Sequence, residues 1–174
     1  MKKLLATICI LAMVGMMVGV IAKAVDEKSV TATVTVQQIA ISIAPGTVGY
    51  GTLALSGTKD TTSGGTNETQ TVTNNGNVNV DLDIKGTTAT SQCTWTLAAT
   101  QGDNQYFHKY CNTGSGTPDV CDTGPTWTAL TTTYAQFDTA VIPTGTSKFD
   151  LQVGVPSTTT CSVAENVNIW VQAS

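Results

Sequence analysis

Val78, Val80, Leu82 and Ile84 alternate with Asn79, Asp81, Asp83 and Lys85. This period of two turns one apolar face inward and one polar face toward solvent. Residues 71–74 read as the end of a preceding strand. Asn75 and Gly76 offer the positive φ that a short hairpin turn requires. The stretch 71–84 is therefore expected to form a tight hairpin, and the same grammar recurs along the chain.

Val30, Ala32, Val34 and Val36 alternate with Thr31, Thr33 and Thr35, which predicts a first strand. Ile39, Ile41 and Ile43 form a second alternating run, broken at Pro45 and Gly46. Residues 48–55 are expected to be extended, and 56–65 to be a polar loop. Residues 92–98 predict a strand with Cys93, Trp95 and Leu97 on one face. Residues 104–109 read as extended, 111–126 as a Gly- and Pro-rich loop, and 127–133 as a strand. Phe149, Leu151, Val153 and Val155 alternate with Lys148, Asp150, Gln152 and Gly154. In the last strand Val167, Ile169 and Val171 share one face. Asn166, Asn168, Trp170 and Gln172 share the other, so Trp170 should point outward. No helical period follows the first 24 residues. About eight to ten short strands separated by turn signals predict an all-β, antiparallel sandwich of immunoglobulin-like architecture.

The N-terminus changes the context. A basic start at Lys2 and Lys3, an uncharged apolar run to Ala22, and the Ala22-Lys23-Ala24 pattern read as a signal peptide over 1–24, cut after Ala24. A retained anchor is the alternative, and it would be the only route to a membrane. The remaining residues 25–174 suit one domain. The chain has 8 Lys and Arg against 12 Asp and Glu. All 8 are Lys; removing Lys2, Lys3 and Lys23 leaves 5 against 12, a net of −7. Without Arg or a basic patch, nucleic acid is excluded as a partner.

Four cysteines remain after the leader: Cys93, Cys111, Cys121 and Cys161. An even count in an exported chain predicts two disulfides. Zinc is disfavoured because no Cys-x2-Cys pair occurs. Of the three connectivities, Cys111 with Cys121 brackets one short loop, and Cys93 with Cys161 joins two positions of core-facing parity. Chain entropy assigns about 3 kcal/mol to the short loop and about 4 kcal/mol to the long one.

Catalytic chemistry finds little support. His108 is the single histidine, and it reads as structural rather than as the base of a nucleophilic site. Asp81 and Asp83 share a face, as do the carboxylate pairs of glycoside hydrolysis, but that face is the solvated one. Asp81, Asp83 and Asp103 lie in no calcium loop. No cofactor or metal is expected, and a secreted hydrolase is the remote reading. Asn67-Glu68-Thr69 matches the N-glycosylation pattern. Trp127, Trp170 and the nearby Tyr110 are the candidate interface or glycan contacts, because exposed aromatics stack on sugars or anchor partners.

The stretch 71–84 resembles segments of secreted β-sandwich surface proteins, the biofilm-fibre proteins of the TasA and camelysin kind and the archaeal bundling pilins. Trp95-Thr96-Leu97 is similar to one Trp-x-Leu motif of WxL cell-wall-binding domains, whose second motif is missing here. The resemblance implies an extracellular structural role, in some relatives through an N-terminal strand inserted into the next subunit. The residues point the same way. The expected function is a non-enzymatic, exported structural protein of the cell surface or matrix, partnered by itself or by other surface components. Val30, Ala32, Val34 and Val36 are the candidate donor strand, with Gln37 and Gln38 as the short connection behind it. The alternative is a carbohydrate-binding or adhesive module.

Overall fold

The computed structural model describes residues 26–114, 120–161 and 163–174; the leader lies outside them. Contacts divide the chain into two units, and all the strands lie in the second, Val36–Ser174.

Ten strands and one helical turn occur among the described residues: β1 (Ile41–Ala44), β2 (Thr58–Asp60), β3 (Gln70–Asn74), β4 (Val80–Lys85), β5 (Thr96–Leu97), β6 (Gln105–Gly114), α1 (Val120–Thr123), β7 (Thr128–Ala129), β8 (Ala135–Val141), β9 (Thr146–Gly154) and β10 (Trp170–Ala173). They form two packed sheets. The larger runs β1-β3-β9-β6-β5, with β2 also on β9 and β7 also on β6; the smaller runs β10-β4-β8. Every pairing is antiparallel except β5 with β6. Sandwich and disulfides are as the sequence predicts, with Cys93–Cys161 and Cys111–Cys121 both bonded.

The core lies between the sheets. Val72 from β3, Val80, Leu82 and Ile84 from β4, Phe137 and Val141 from β8, and Phe149 and Leu151 from β9 pack in one cluster. Phe137 meets both Tyr110 and Phe149 edge to face, the geometry favoured by ring quadrupoles.

The expected hairpin at 71–84 is not one. β3 pairs with β1 and β9, whereas β4 pairs with β10 and β8. The two strands belong to opposite sheets and face each other through side chains. The link is an arch built on Asn74, which is 1% exposed. Its Nδ2 donates to the carbonyls of Val78 (2.8 Å) and Val141 (2.9 Å), and its Oδ1 accepts from the amide of Gly76 (2.8 Å). A period of two leaves hairpin and arch indistinguishable, since both bury alternate residues. Gly76 is required by close approach: a Cβ there would lie 2.3 Å from the Gln38 carbonyl. Asn74→Ala is expected to lower stability by about 3 kcal/mol, because it strands the buried carbonyl of Val141 and the part-buried carbonyl of Val78 and amide of Gly76. A lower urea midpoint at unchanged slope would register the loss.

Other departures have local causes. Residues 30–36 form no strand. β6 runs through Cys111 to Gly114, and α1 follows, where a single loop was expected over 111–126. The strands expected over 92–98 and 127–133 shrink to two residues each. β8 gives a weak sequence signal, because Phe137 and Val141 are its two large apolar residues and the position between them, Thr139, is polar and exposed. A bulge interrupts its pairing with β4, and the Asp81 carboxylate takes the amide of Ala140 there, at 2.9 Å. Asp150, expected on a polar face, is fully buried under the 61–69 loop. It accepts hydroxyl bonds from Thr61 (2.7 Å) and Thr69 (2.9 Å). Asn67 is exposed on that loop at φ 56°.

Candidate functional site

The smaller sheet does not cover the larger one completely. Beyond β10 an open groove of about 570 Å³ runs over the inner face of the larger sheet. Its floor is Phe149 and Leu151 of β9 and His108 of β6; Ile43, Val48 and Tyr50 form one side, Val167, Ile169 and Val171 the other. It meets a second cavity of about 410 Å³, lined by Leu53, Trp95, Tyr106, Val153 and Val167, at Tyr50 and His108. Gln70, Glu165, Asn166 and Asn168 line the groove as well, so an apolar floor is bordered by mixed polar and apolar walls.

Two segments flank it without belonging to a ladder. The first follows β1 over residues 45–55. After Pro45 it is fastened by Gly46 N to Gln70 Oε1 (2.9 Å) and Gly49 N to Glu68 Oε2 (3.1 Å). The second, 161–169, is held by the Cys93–Cys161 bond and by Glu165. That carboxylate accepts from the Ser91 hydroxyl (2.6 Å) and from the amides of Ser91, Gln92 and Cys93. The Ser91 hydroxyl first, then these amides, hold its pKa below the usual range against some desolvation. β10 itself is an edge strand, paired with β4 on one side only.

His108 Nε2 lies 3.2 Å from the Tyr50 hydroxyl. Burial lowers the His108 pKa to about 4. Burial, then the carboxylates of Asp60, Glu68 and Asp150, push the Tyr50 hydroxyl well above its usual value. Both groups are therefore neutral at pH 7. The proton linkage has a definite sign. Between the unfolded His value of 6.5 and the folded value of about 4, the unfolded chain binds more protons, so stability falls as pH drops through that window. The expected loss is about 3 kcal/mol for a shift of this size. His108→Gln should flatten this component in urea titrations at pH 7, 5.5 and about 4.

The candidate contacts fall in different places. Trp170 is 51% exposed on the outer face of β10. Trp127 is half-buried. Tyr110 is not a surface residue: it is 9% exposed, packed into the core against Phe137. Trp95 is half-buried, its Nε1 on Thr159 Oγ1. Asp81 and Asp83 do not act as a pair; Asp81 holds Gln136 and the β8 bulge, while Asp83 holds Gln172. Asp103 accepts from Thr158, away from both. Among the described residues no three His, Cys, Asp or Glu side chains come together as a metal site requires. All four cysteines described are disulfide-bonded, and no helix there is long and apolar enough to cross a membrane.

The candidate donor residues are in no strand. Val30, Val34 and Val36 are 93%, 89% and 79% exposed. Immediately behind them the chain is clamped to the arch. Asn77 Nδ2 donates to the Val36 carbonyl (2.8 Å) and Asn77 Oδ1 accepts from Gln38 N (2.8 Å). The backbone adds Asn77 N to Gln38 O and Asn75 N to Ala40 O. Sequence reasoning missed this clamp and the groove, because both join residues far apart in the chain. The pattern of Val30 to Val36 was the one available signal.

No family model, no curated protein and no solved structure matches this chain.

Proposed function

We propose that this protein is a non-enzymatic, exported structural subunit of the cell surface or extracellular matrix. Copies join when residues 30–36 of one enter the groove of the next. The observation that carries the reading is a pair of unmet needs in one chain. Val30, Val34 and Val36 are almost wholly exposed, while a groove floored by Phe149 and Leu151 lies open beside an edge strand. A strand added to β10 would supply main-chain hydrogen bonds. Its alternate valines would face the apolar floor, and its threonines would face solvent.

The clamp favours exchange over self-insertion. Asn77 holds Val36 and Gln38, which fixes the point from which the arm starts. On this reading that hold opposes folding the arm back and reduces the usual advantage of an intramolecular partner. Two disulfides support an oxidising, extracellular environment.

The test removes residues 25–36 and returns them as a separate peptide. The shortened protein is expected to stay monomeric and to bind the peptide, which blocks polymerisation of the full chain. If the shortened protein forms the same fibres as the full chain, the reading fails.

A further inference from the structure

We propose that the outer face of the three-stranded sheet binds a neutral, flat-ribbon polysaccharide. This goes beyond the assembly reading and does not depend on it. Two rows of side chains cross the strands there. In the first, Trp170 of β10 is in register with Lys85 of β4, and the Lys85 ammonium stands 4.4 Å over the ring of Tyr134, just ahead of β8. In the second, Gln172 of β10 is in register with Asp83 of β4, which is in register with Gln136 of β8. Gln172 Nε2 donates to Asp83 Oδ2 at 3.1 Å.

The chemistry of these rows selects the partner. Trp170 and Tyr134 are 51% and 38% exposed. Their strands lie two spacings apart, about 10 Å, which is the length of a disaccharide. The C–H face of one sugar ring can stack on Trp170 while a second meets Tyr134, whose ring Lys85 covers on one side. Below them, Gln172 donates to Asp83 and Gln136 to Asp81, and these lateral bonds leave outward lone pairs and N–H groups for hydroxyls.

A protein partner would have to desolvate Lys85 and Asp83 beside the aromatics, at several kcal/mol per unpaired charge. Sugar hydroxyls both donate and accept, so they replace the water these charges lose. Lys85 stands on one face of β4 with Asp81 and Asp83, so there is no excess positive charge to recruit a polyanion. Equatorially linked chains such as β-1,4-glucans are flat enough to span both rings, whereas α-linked glucans curl away.

The test titrates the full chain with cellohexaose and with chitohexaose, followed by tryptophan fluorescence. At least one is expected to shift the emission saturably. Trp170→Ala and Tyr134→Ala should each weaken binding by about tenfold or more, while Trp127→Phe should not, and the melting temperature should hold. Sedimentation of the same variants separates this from contact between copies. The proposal is overturned if neither sugar binds at millimolar concentration or if Trp170→Ala binds as the parent does. It is equally overturned if polygalacturonate binds as well as the neutral chains, or if the substitution changes self-association and not sugar affinity.

Discussion

Replacing Val34 with Asp is expected to abolish polymerisation while leaving the folded body intact. Val34 is 89% exposed, so the substitution removes no contact and should move stability by less than about 0.5 kcal/mol. In the joined state the same side chain would enter a groove floored by Phe149 and Leu151. A carboxylate left unpaired there costs several kcal/mol. A penalty of about 4 kcal/mol is about a thousandfold in association. Parity supplies the control. Thr33 and Thr35 fall on the other face of the inserted strand, so Thr33→Asp should cost tenfold at most. Light scattering over a concentration series checks both. Equal loss from Val34→Asp and Thr33→Asp would mean that added charge, and not one face of the arm, governs association.

The second large effect concerns the Cys93–Cys161 bond. The pair spans 68 residues, and replacing both cysteines with Ala frees that loop in the unfolded chain, at an expected cost of about 4 kcal/mol. A domain of this size has only about 5–15 kcal/mol in total, so the melting temperature should fall sharply. The effect should also be local in the native state. With the bond gone, residues 161–169 keep only side-chain and scattered ties such as Glu165 to Ser91 and Gln92. Hydrogen exchange there should quicken before the rest of the sandwich opens. Removing Cys111–Cys121, whose loop closes over 10 residues, should cost less and leave the groove's exchange unchanged. A uniform acceleration in both variants would show that the long bond does not anchor this wall of the groove.

What the sequence conveyed follows from how far each signal reaches. Alternation identifies a strand and its buried face from neighbours two residues apart, and it found β4, β9 and the faces of β1 and β10. It carries no information on which strand lies beside which, so 71–84 passed for a hairpin. The decisive group was Asn74, a polar residue at a core position whose partner Val141 is 67 residues away. β8 escaped because its two buried residues, Phe137 and Val141, are separated by an exposed Thr139, which leaves too few apolar positions to mark a strand. Asp150 was assigned to solvent because the covering loop comes from residues 61–69. Four cysteines allow three connectivities, and the short loop between Cys111 and Cys121 left Cys93 for Cys161. The pairing holds although neither Cys93 nor Cys161 lies on a strand as the parity reading had it. Of the candidate site, Val30 to Val36 was legible as a pattern. The groove was not, being formed by strands remote in sequence and by two segments with no ladder.

The most direct measurement places a photo-crosslinking benzophenone side chain at position 34 in chains assembled from equal parts of ordinary and heavy-nitrogen protein. After irradiation, the arm in the groove of a neighbour gives crosslinks to groove residues such as Phe149, Ile169 or Val171, in peptides of mixed isotope. Crosslinks confined to peptides of a single isotope would place the arm in its own chain. Crosslinks scattered over the outer faces would mean that it enters no groove. Either result would contradict assembly by exchange of this strand.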